Sequence, residues 1–118
     1  MGGGASQVLF ALDAAGLARE VAFVTDGQLS GLCLKGLTVA EVAPEGATGG
    51  PIGKVHRGDR IVIDVAARRI DLDVPAAELA ARPGPDATFP VPAKGYLGIY
   101  RRDVQPMSTG AVLTERPP

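Results

Sequence analysis

The side chains best suited to chemistry stand together in one glycine-punctuated stretch, Thr25-Asp26-Gly27-Gln28-Leu29-Ser30-Gly31. The apolar run Val21 to Val24 leads straight into it. A strand ending there would hand over to a loop carrying two hydroxyls and a carboxylate, with free backbone donors on a rigid base. A plain Asp-Gly turn beside a solvated serine is the competing reading. A Ser-His-Asp hydrolase is rejected. The one histidine, His56, lies in a polar turn, and Gln28 stands where a Gly-x-Ser-x-Gly elbow would need glycine. A second candidate is Glu45 with Gly49 and Gly50 before Pro51. Paired glycines let backbone approach a ligand closely, although a connecting loop has the same composition. Asp64, Asp71 and Asp73 are oxygen donors that could share a hard cation, but their alternation with apolar residues marks the wet side of a sheet. Arg57-Gly58-Asp59 is explained by a turn between strands.

Positioning these residues requires short elements. Ser6 to Ala15 reads as a helix with Ser6 as N-cap and Gly16 at C′. Arg19 to Thr25 reads as a strand buried on both faces, Gln28 to Gly36 as a loop, and Leu37 to Val42 as a second strand. Ala43 to Pro51 reads as a loop. Arg60 to Val65 reads as a strand, Arg69 to Val74 alternates Ile70, Leu72 and Val74 with Asp71 and Asp73, and the two predict an antiparallel hairpin. Pro75 suits N1 of a helix over Ala76 to Arg82. Residues 83–94 form a proline-rich connection, Gly95 to Val104 a helix, and Ala111 to Leu113 a last short strand.

Composition bounds the function. The 118 residues suit one domain, able to bury roughly 65% of the surface of its unfolded chain. At 46% hydrophobic and 21% charged residues, the chain is not a disordered tail. Twelve Lys and Arg against thirteen Asp and Glu leave no cationic excess for phosphates, which argues against nucleic acid. No segment is long and apolar enough to predict a membrane span. A single cysteine, Cys33, excludes an internal disulfide framework and fits a cytoplasmic setting.

The stretch Thr25 to Gly31 resembles the second signature of the dihydroxy-acid dehydratase and phosphogluconate dehydratase family, close to T-D-G-R-[FLM]-S-G. Val42-Ala43-Pro44-Glu45-Gly46 is similar to the family's V-[ST]-P-E-A, and Gly49-Gly50-Pro51-Ile52 to its G-G-P-[IL]. Gly58-Asp59-Arg60-Ile61, the run Asp71 to Arg82, and Ser108-Thr109-Gly110-Ala111 continue the likeness, which covers about Leu17 to Leu113. The resemblance implies an α+β fold: the C-terminal part of a swivelling β-barrel-like (β/β/α) domain with flanking helices, incomplete in this chain. It implies Ser30 as the general base of a hydro-lyase that dehydrates a 2,3-dihydroxy acid or sugar acid to a 2-keto acid. Thr25, Asp26, Gly27 and Gly31 would shape its loop, and Glu45, Gly49 and Gly50 are candidates for a substrate loop.

Family enzymes also use an iron–sulfur cluster (2Fe-2S or 4Fe-4S) and Mg2+, held by a large N-terminal domain. No metal ligand is expected in this chain. The implied partners are that N-terminal cluster-binding domain and the acid substrate, with a homodimer left open and no nucleic acid or membrane. Met1 to Ser6 would start inside the C-terminal domain, where many members read G-M-P-E. A fragment, a truncated product or one chain of a split enzyme is therefore expected, inactive by itself. The alternative is a non-catalytic remnant or accessory module that binds a partner chain. Three positions depart from the family: Gln28 replaces Arg, Glu41 falls where many members have His, and Gly2-Gly3-Gly4 replaces Pro-Glu after Met.

Overall fold

A computed structural model of the chain describes residues 3–33, 35–85 and 94–114. It divides into two units, residues 1–43 with 87–118, and residues 44–86. Each mixes helices with a small sheet, so the fold is α+β. The described strands form two separate two-stranded sheets and do not close into a barrel. The central part of the proline-rich connection, residues 86–93, lies outside the described residues.

In the first unit, helix α1 spans Gly3–Ala14. The sequence suggested a start at Ser6, but the helix begins earlier and places Ser6 inside it. Ser6 and Leu9 lie three residues apart, hence on one face, and both are buried. The C-terminus follows the expected chemistry. Gly16 takes φ 74, its N–H donates to the Asp13 carbonyl at 3.0 Å, and the Leu17 N–H donates to the Leu12 carbonyl at 2.9 Å. This pairing satisfies two end carbonyls of the helix and needs a residue without Cβ at Gly16.

The expected strand Arg19–Thr25 shrinks to β1, Phe23–Val24. Leu17 to Val21 turn instead, with the Glu20 and Val21 N–H groups both donating to the Leu17 carbonyl. Val21 is exposed, and Phe23 and Val24 are only half-buried. The apolar run is thus not a strand covered on both faces, because one short neighbour supplies its ladder. That neighbour is β2, Thr38–Val39, parallel to β1 with Phe23 opposite Thr38 and Val24 opposite Val39. It, too, is shorter than the expected 37–42: Glu41 leaves the strand with φ 57. Helix α3, Gly95–Asp103, matches its expected range. The strand expected at 111–113 is reduced to one antiparallel bridge, Val104 with Leu113.

In the second unit, β3 (Ile61–Asp64) and β4 (Arg69–Leu72) form the expected antiparallel hairpin, with Ile61 opposite Leu72 and Ile63 opposite Ile70. The Asp64 carboxylate accepts the Ala67 N–H at 2.8 Å and so closes the turn. Asp71 accepts from Arg69 Nε at 2.6 Å. Helix α2 spans Ala76–Ala81, and Pro75 stands just before it as cap. The 43–51 loop contains two 3₁₀ turns that sequence patterning missed, Gly46–Thr48 and the start of Pro51–Lys54.

Arg82 ties this unit together. Its guanidinium donates in parallel to both Asp59 oxygens, at 2.5 and 2.9 Å, and also to Glu78 and to the Lys54 carbonyl. The Asp59 carboxylate additionally accepts the His56 N–H at 2.7 Å. Arg82 and the His56 amide therefore hold the Asp59 carboxyl down at about 2, below its ordinary 3.8. A depressed carboxyl pKa means that the folded state binds fewer protons than the unfolded state. The contribution is present above about pH 4 and is lost as pH falls toward 2. Thermal melts of the chain and of Asp59→Asn should therefore differ most at pH 5 and converge toward pH 2. A gap that stays constant across that range contradicts the assignment.

Candidate functional site

The loop after β1 is built from interlocking turns. The Thr25 N–H continues the sheet by donating to the Val39 carbonyl at 2.9 Å. Its hydroxyl oxygen accepts the Gly27 N–H at 3.0 Å, which bends the chain at Asp26. The turn is then stitched to the segment after β2. The Glu41 N–H donates to the Gly27 carbonyl at 3.1 Å and the Val42 N–H to the Thr25 carbonyl at 3.2 Å. Glu41 makes its bond in the left-handed region, unusual for a residue with a Cβ.

Ser30 is held at three atoms. Its N–H donates to Ser6 Oγ of α1 at 3.0 Å. Its carbonyl accepts the Cys33 N–H at 3.0 Å. Its hydroxyl oxygen accepts the Leu32 N–H at 3.2 Å. The last contact matters chemically, because a backbone donor aimed at an oxygen stabilises negative charge on it. Thr25, Asp26, Gly27, Ser30 and Gly31 thus share one unit with Ser6 and Glu41. Sequence reasoning took Ser6 for a helix cap and missed its contact with this loop. The available signal was a polar residue three positions before Leu9 on the buried helix face.

Glu45, Gly49 and Gly50 belong to the second unit. The Glu45 carbonyl accepts the N–H groups of Thr48 at 3.0 Å and Gly50 at 2.9 Å. Gly49 has φ 89, with open space where a Cβ would stand. Gly50 is buried, and a Cβ there would collide with the Pro44 carbonyl and lie 2.8 Å from Glu45 O. The loop's own carbonyls therefore explain glycine at 50.

Among the described residues, no group of three or more His, Cys, Asp or Glu side chains is placed to hold a metal ion. The chain's one cysteine is far short of the three or four thiolates that hold an iron–sulfur cluster. These residues do not fit such a group. Anaerobic reconstitution of the chain with iron and sulfide should give no stoichiometric cluster absorption, and a full-strength band would contradict this. Among the described residues, no helix is long and apolar enough to cross a membrane.

Residues 4–111 match the family described as dihydroxy-acid/6-phosphogluconate dehydratase C-terminal, and the chain belongs to it. It is 48% identical over 100 residues to a dihydroxy-acid dehydratase of Pyrococcus abyssi, covering 85% of this chain and 18% of that protein. It is 44% identical over 108 residues to the dihydroxy-acid dehydratase of Pelobacter propionicus, covering 88% and 19%. The enzyme of the same description from Sulfurisphaera tokodaii is 46% identical over 101 residues, covering 83% and 18%. The chain therefore spans about a fifth of the length of the curated relatives it matches.

Proposed function

We propose that the chain serves as the C-terminal portion of a hydro-lyase converting a 2,3-dihydroxy acid or sugar acid to a 2-keto acid, with Ser30 as general base. The observation that supports this most directly is the Leu32 N–H donated to Ser30 Oγ. In the reaction an alkoxide at Ser30 Oγ takes the C2 proton. The C2–H electron pair forms the C2–C3 double bond as the C3–O bond breaks, and the departing hydroxide takes up the proton that Ser30 removed, leaving water and restoring the alkoxide. The resulting enol gains a proton at C3 and loses one from the C2 oxygen, leaving the 2-keto acid. Thr25, Asp26, Gly27 and Gly31 shape the loop that carries the base.

Magnitudes decide how far this chain goes alone. A hydrogen bond to a charged oxygen contributes about 1.5–3 kcal/mol. The Leu32 contact is exposed, so what it adds at Ser30 Oγ does not exceed that range. That is too little to make a serine hydroxyl basic at neutral pH. Ser30 is therefore inert in the isolated chain and competent beside a cluster-bearing N-terminal domain. Combined with that remainder of a dehydratase, the chain should restore dehydration of a dihydroxy acid, and alone it should show none. Turnover by the chain alone contradicts the reading. A second reading, an accessory module that binds a partner chain without catalysis, is favoured by exposed Tyr96, Leu97 and Ile99 on α3. Binding to the remainder without restored turnover would select it.

A further inference from the structure

We propose that Ser6 is a positioning residue for Ser30, an inference that rests on Ser30 being the base. Ser6 is 4% exposed and is the buried polar side chain of the described residues. Alanine is the better helix former in the interior of α1, so a serine there weakens the helix slightly. A serine inside a helix can bond back to the carbonyl four residues earlier. The oxygen of this one accepts the Ser30 N–H at 3.0 Å, across 24 positions of sequence.

The three bonds on Ser30 are not equivalent. Those from Leu32 and Cys33 lie within three residues and form in any turn of this shape. They set the local conformation of Ser30 but not its place in the unit. The bond to Ser6 is the one that ties Ser30 to a different element. Leu9, buried on the same helix face, anchors that face, so the helix gives the oxygen a fixed position. Ser6 thereby sets where the Ser30 hydroxyl stands relative to anything bound beside the loop. Displacing a catalytic group by about 1 Å can cost about 10²-fold in rate.

The test uses Ser6→Ala, which removes the acceptor, and Ser6→Thr, which keeps it. In the 118-residue chain, amide hydrogen exchange at Ser30 should rise at least about tenfold in Ser6→Ala and return in Ser6→Thr. The Thr25 amide, bonded to the Val39 carbonyl, is the internal reference and should stay unchanged. In the enzyme reassembled with its cluster-bearing remainder, Ser6→Ala should lower kcat about 10- to 100-fold at unchanged KM, and Ser6→Thr should recover most of it. Unchanged exchange at Ser30 in Ser6→Ala overturns the proposal. Faster exchange with unchanged kcat also overturns it, while leaving Ser30 as the base. Full turnover in Ser30→Ala removes the base reading, and this proposal with it, whatever the Ser6 variants show.

Discussion

Ser30→Ala in the complete enzyme should lower kcat by about 10²–10⁴-fold, the usual cost of losing a general base, while the melting temperature barely moves. The two expectations come from different parts of the same residue. The hydroxyl is the atom the proposed chemistry needs, and the substitution deletes it. The contacts that hold the loop run mainly through the backbone of Ser30, whose N–H and carbonyl bond to Ser6 and Cys33 and survive in alanine. Only the bond from the Leu32 N–H is lost, and it is exposed, so water can replace the acceptor. The stability cost should stay within about 0.5 kcal/mol. Cys33→Ser is the control. It retains the Cys33 N–H bonded to Ser30 and should leave kcat within a few-fold. Steady-state kinetics with a matched thermal melt measure both quantities. Near-full turnover in Ser30→Ala would place the base elsewhere and reduce the loop to a turn.

The largest stability effect should come from Gly50→Ala. The added Cβ would collide with the Pro44 carbonyl and crowd Glu45 O at 2.8 Å. Both are backbone atoms, which cannot rotate away as a side chain would. The cost should be about 3 kcal/mol or more, the upper end for overpacking. Gly49→Ala is the informative comparison. At φ 89 it puts alanine in the left-handed region, but with nothing within 4 Å of the new Cβ. It should cost about 1–2 kcal/mol. Urea unfolding followed by amide signals of the β3–β4 hairpin reports on this unit directly. Gly50→Ala should shift the midpoint further than Gly49→Ala. The opposite order would mean that the loop opens easily, and that close packing against Pro44 is not why residue 50 is glycine.

Much of the architecture follows from local chemistry that a sequence carries openly. The β3–β4 hairpin was legible because Ile70, Leu72 and Val74 alternate with Asp71 and Asp73 close behind a second β-branched run, Ile61 to Ile63, and alternation is a property of the strand itself. The end of α1 was legible because a glycine at 16 allows the left-handed closure that few other residues adopt at low cost. The turn from Thr25 to Gly27 in the candidate loop was legible because turn residues and a hydroxyl were adjacent in the chain. Family membership was legible for the same reason, as several ordered motifs at fixed spacing.

What tertiary structure decided depends on which distant partners a segment meets. The apolar run before Thr25 looked like a deeply buried strand, yet burial belongs to neighbours, and the parallel ladder to β2 covers only Phe23 and Val24. Asp59 looked like a turn residue, and only the fold brings Arg82 to it from 23 positions away. Ser6 looked like a helix cap, because serine is a good cap and three glycines are poor helix formers. The helix starts at Gly3 all the same, since packing of the face that carries Leu9 outweighs propensity. That decision turns Ser6 inward and brings its oxygen to the Ser30 amide, a contact that no local pattern encodes because its two residues share only the space between α1 and the loop.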